Sequence, residues 1–62
     1  MFKVTLTTQG GETFTYPQVE ILDSYDQTVY LYESGSNNPH FFKWGSNTDN
    51  LRSLRQEKIY AN

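Results

Sequence analysis

Cysteine is absent from the 62 residues, which removes disulfide frameworks, thiolate-bound zinc and thiol redox chemistry. Alanine occurs once, at Ala61, so the chain lacks the residue that best supports helices. No stretch approaches the ~18 consecutive apolar residues that a membrane-spanning helix requires. Met1 leads directly into alternating residues rather than an apolar leader, and the expected location is cytoplasmic. Histidine occurs once, at His40, leaving a hydroxyl nucleophile one base at most and a metal no paired imidazoles. The serines at 34, 36, 46 and 53 show no nucleophile-elbow pattern. Gly10-Gly11 lacks the downstream Lys-Ser/Thr of a phosphate loop. We therefore expect no enzyme, no cofactor and no metal site.

What remains is rich in sheet-forming residues. Val, Ile and Leu number ten, Phe, Tyr and Trp another ten, and threonines add seven. β-Branched and aromatic side chains favour pleated sheet. A chain this short holds one domain, here residues 1–62, too small for a deep interdomain cleft.

Phe2-Lys3-Val4-Thr5-Leu6-Thr7 alternates with period two and predicts a half-buried strand. Gln9-Gly10-Gly11-Glu12 predicts a tight hairpin returning through Phe14 and Tyr16. Pro17, which has no amide donor, is expected to break or edge the sheet before a third strand from Gln18 to Asp23. In that strand Val19 and Ile21 share one face and Leu22 takes the other. Ser24-Tyr25-Asp26-Gln27 reads as a turn, and Thr28–Glu33 as the next strand. A polar loop over residues 34–39 precedes a strand at His40–Trp44. Residues 51–60 fit either a helix or a strand; one helical or 3₁₀ turn near Thr48–Leu51 followed by a closing strand is favoured. The expected fold is all-β: a small antiparallel SH3/Sm-like barrel or curled meander of five to six strands. Its expected core is Val4, Leu6, Phe14, Val19, Ile21, Val29, Leu31, Phe42, Trp44, Leu51, Leu54 and Ile59.

Such a core cannot house every ring. Tyr30 and Tyr32 alternate against Val29 and Leu31, with Tyr25 in the adjoining turn and Phe41 on the next strand. Either these rings pad the outside of the core, or they form a contact surface for a protein partner or a second copy of the chain. Asp23, Asp26 and Glu33 would rim that surface. Charge is unevenly spread: residues 1–33 set one lysine against five carboxylates, whereas residues 34–62 set four cations against two. An acidic rim around aromatics suits a basic surface on another protein. The rival reading is single-stranded nucleic-acid binding, with bases stacked on the same rings and Lys43, Arg52, Arg55 and Lys58 meeting phosphates. If helical, Arg52, Arg55 and Lys58 would form one stripe.

The segment Asp23-Ser24-Tyr25-Asp26-Gln27-Thr28-Val29-Tyr30-Leu31-Tyr32 resembles the strand–turn–strand of Sm-like RNA-binding proteins of the bacterial host-factor type. Phe42-Lys43-Trp44 is similar to that family's second motif, with Trp44 in place of histidine. The resemblance implies a strongly bent five-stranded barrel. Asp23-Ser24-Tyr25-Asp26, Trp44-Gly45 and the tail Leu54-Arg55 to Lys58-Ile59 also resemble the short uracil-DNA glycosylase inhibitors of Bacillus phages. That likeness implies a non-enzymatic inhibitor of a host enzyme, with Trp44 as one wall of an aromatic pocket.

Overall fold

Alternation in Phe2–Thr7 produces the strand it predicts, one residue longer: in a computed structural model, which describes residues 1–59, β1 spans Phe2–Thr8. Val4, Leu6 and Thr8 are buried and the residues between them are more open. β2 (Thr13–Tyr25), β3 (Thr28–Glu33), β4 (His40–Lys43) and β5 (Leu51–Lys58) complete one sheet in the order β4-β3-β2-β1-β5. All four strand pairings are antiparallel. The tail is therefore a strand. The helical turn expected near Thr48–Leu51 is instead a single turn closed by Asn50 N–H donating to the Asn47 carbonyl at 2.9 Å.

Two glycines shape the first hairpin, and one of them, Gly10, ties it to the loop before β5. Gly11 takes a positive φ of 91°, which only glycine adopts cheaply. Gly10 N–H donates to the Thr48 carbonyl at 3.0 Å, and a Cβ at Gly10 would stand 3.2 Å from that oxygen. The β2–β3 turn uses no glycine: Asp26 and Gln27 occupy left-handed conformations at φ 51° and 57°. This two-residue pattern matches the right-handed twist of the flanking strands. Thr28 Oγ1 donates to the Asp26 carbonyl across it.

Pro17 does not break the sheet. The pairing with β1 slips between Phe2–Val19 and Val4–Tyr16, while pairing with β3 starts only at Val19. Pro17 falls in that slip, where no ladder needs its missing amide, so the two expected strands are one long β2. A second slip, between Val19 and Ile21 against β3, reverses the alternation beyond it. Val19 is buried and Leu22 packs on the core, but Ile21 is half exposed.

The core consists of Val4, Leu6, Val19, Val29, Leu31 and Leu51, with Phe2, Tyr16, Leu22, Phe42 and Leu54 against it. Phe14, Ile21, Trp44 and Ile59, expected inside, are substantially exposed. The sheet curls enough for Phe14 and Tyr16 of β2 to meet Phe42 of β4 across the concave face, at ring separations of 6.1 and 6.2 Å. The barrel does not close. Trp44, the residue after β4, makes a single bridge to Leu51 of β5, leaving β4 and the rest of β5 as sheet edges among the described residues. No helix among the described residues is long and apolar enough to cross a membrane. Tyr60, included in the expected closing strand, lies outside the described residues.

Candidate functional site

The convex face over β2, β3 and β4 is built from three cross-strand rows. Ile21 faces Tyr32; Asp23, Tyr30 and Phe41 form the next row; Tyr25, Thr28 and Lys43 form the last. Residues in register on neighbouring antiparallel strands share a face, and diagonal neighbours fall within reach of aromatic rings. Tyr25 accordingly stacks on Tyr30, with centroids 5.0 Å apart and planes 19° from parallel. Tyr30 in turn meets Phe41 at 6.3 Å. Tyr25 is 63% exposed and Phe41 66%, so the ends of this three-ring ladder lie open to solvent.

Asp23 sits beside Tyr30, and Asp26 occupies the turn directly after Tyr25. Hydrogen bonding with Tyr30 raises the Tyr25 phenol above its usual value, and the fields of Asp23 and Asp26 add to the shift. Tyr25, Tyr30, Tyr32, Phe41, Asp23 and Asp26 are thus brought together as expected. Ile21 and Lys43 join them. Ile21 was hidden by the bulge, which inverts the local alternation, and Lys43 follows from its two-residue spacing from Phe41.

Glu33 does not belong to this rim. It alternates with Val29 and Leu31 rather than with the tyrosines, and its Oε1 lies 2.6 Å from His40 Nε2. Tyr16 stacks at a tilt on that imidazole at 4.9 Å. Burial raises the Tyr16 phenol above its ordinary value, and the Glu33 charge raises it further. His40 and Glu33 are both nearly half exposed, so this is a solvated pair at the mouth of the concave face.

Arg52, Arg55 and Lys58 do not form a stripe, because β5 is a strand and a spacing of three reverses the face. Arg55 is opposite Thr5 and 3.3 Å from Glu57, whereas Lys58 is opposite Phe2. Arg52 follows Leu51 at the bridge to Trp44. Trp44 itself is about one-third exposed, beside the closure point and not within the tyrosine ladder. Among the described residues no three His, Asp or Glu side chains gather as a metal site.

Comparison with protein-family models, curated proteins and solved structures found no match to this chain.

Proposed function

We propose that the chain is a non-catalytic binding protein of the cytoplasm that docks on a protein partner through its convex aromatic face. The supporting observation is the ladder Tyr25–Tyr30–Phe41, open at both ends, with Asp23 beside Tyr30, Asp26 next to Tyr25 in the turn, Ile21 opposite Tyr32 and Lys43 at one margin. Aromatics gain large contact area for few frozen torsions, and they concentrate where interface energy is highest. Most of a ring's cost of exposure is recovered when a partner covers it. The acidic side of the patch selects a basic surface on that partner. Modulation or inhibition of an enzyme is the concrete role such a small scaffold can fill, by covering a basic ligand-binding surface.

The decisive variant is Tyr25→Ala with Phe41→Ala. Both side chains are mostly exposed, so the fold should persist by circular dichroism. Affinity for a partner identified with the wild-type chain should fall about 30-fold or more, as loss of central interface rings costs about 2 kcal/mol or more. Unchanged affinity would remove this face as the binding surface.

A further inference from the structure

We infer that two copies of this chain pair antiparallel along β5, about a two-fold axis at Gln56. This edge is a different surface from the aromatic face. β5 is an end strand of the sheet, and beyond the bridge at Leu51 no described strand covers it. Ile59 N–H donates to the Met1 carbonyl, which fixes the phase of the β1–β5 ladder. Residues 53, 55, 57 and 59 turn their main-chain groups toward β1. Leu54, Gln56 and Lys58 therefore turn theirs outward, to the open edge. An open row of this kind is a template for another strand.

Side-chain charge decides which strand fits. Arg55 and Glu57 occupy one face of β5, 3.3 Å apart and largely exposed. An antiparallel copy can hydrogen-bond only when outward-facing residues meet outward-facing residues, so register changes in steps of two. Centring the axis at Gln56 places Arg55 opposite the partner's Glu57, and Glu57 opposite the partner's Arg55. The neighbouring symmetric registers, centred on residue 55 or 57, would oppose Arg55 to Arg55 or Glu57 to Glu57. Opposite charges directly across strands stabilise pairing and like charges destabilise it. Only the Gln56-centred register among these is complementary. In it Gln56 exchanges both main-chain hydrogen bonds with its symmetry mate, and Leu54 does so with the partner's Lys58. Lys3, already opposite Glu57 on β1, extends the alternating row of charges inward.

Two charge reversals test this without relying on the pair inside one chain. Arg55→Glu makes both positions acidic and Glu57→Arg makes both basic. By sedimentation at low salt and concentrations up to about 1 mM, the wild type should associate to a dimer. Each variant alone should dimerise about tenfold more weakly or worse. An equimolar mixture of the two should recover association, as a heterodimer. A monomeric wild type across that range overturns the proposal, as does failure of two folded variants to associate on mixing. Should either variant fail to fold, Gln56→Cys with a short bis-maleimide should yield a covalent dimer, and its absence overturns the proposal equally. Tyr25→Ala with Phe41→Ala should leave association unchanged; its loss would move the contact to the aromatic face and sink this one.

Discussion

Ile21 lies directly across from Tyr32 on the convex face, while Val19, two residues earlier on the same strand, is fully buried. An unbroken strand would put both side chains on one side, and the bulge between them separates them. Leu22 takes the inward place. Ile21→Thr should therefore change stability by no more than about 0.5 kcal/mol. Leu22→Ala should cost about 1–2 kcal/mol, below the usual range for fully buried leucine because Leu22 is only partly covered. Urea unfolding of the two variants checks the contrast; a larger loss at Ile21 would contradict the register.

The Asp26-Gln27 turn makes a prediction of opposite sign. Gln27 holds φ at 57°, a conformation costing an ordinary L-residue about 1–2 kcal/mol. Glycine adopts it freely but forfeits about 0.5–1 kcal/mol through its more flexible unfolded chain. Gln27→Gly should stabilise by a net of about 0.5–1 kcal/mol. Gly11→Ala, which imposes a side chain at φ 91°, should destabilise by about 1–2 kcal/mol. Thermal melts of the two variants should move in opposite directions.

Alkaline titration probes Tyr16. Burial and the Glu33 charge raise its folded-state value above the unfolded one, so the native protein holds this proton where the unfolded chain has begun to release it. The associated stabilisation is complete below about pH 10 and is lost as pH rises through the raised value. Tyr16→Phe, with no proton to lose, should show a shallower decline in denaturation midpoint above about pH 10. An identical decline would remove Tyr16 from that role.

Oligonucleotide titration separates the proposed protein interface from its rival. Lys43 stands in the row of Tyr25, but Arg55 lies 3.3 Å from Glu57 on β5 and Lys58 is on the other face, so the cations form no continuous track for a strand of phosphates beside the tyrosines. Single-stranded DNA or RNA at about 50 mM salt should show no saturable binding. Tight binding that weakens steeply with salt would favour nucleic acid instead.

Much of the sheet is legible in residue order because two-residue alternation in Phe2–Thr7 and Thr28–Glu33 leaves little choice of structure. The glycine hairpin is equally plain, and the same periodicity places Tyr30 and Tyr32 away from Val29 and Leu31. Pro17 misleads because a missing amide matters only where a neighbour would use it, and that depends on the slip against β1. Ile21 misleads because a bulge is an agreement between two strands and leaves no mark on one. Phe14 and Trp44 look like core by type, yet a barrel that stays open at β4 and β5 leaves both partly uncovered. Glu33 is a different case: alternation with Leu31 assigns it to the concave side, and only its nearness in sequence to Tyr32 suggests the rim.

The pairing of Phe2 with Lys58 makes the opening strand wait for the closing one. Leu51, which seals the core, arrives only with β5, so a nascent chain halted in the loop after Trp44 would leave Val4 and Leu6 without their lid. Contacts spanning nearly the whole described sequence slow folding, toward the millisecond-to-second regime of small barrels. On the ribosome this sheet would be complete only once β5 had cleared the exit tunnel, and until then β1 would be the exposed margin most in need of protection.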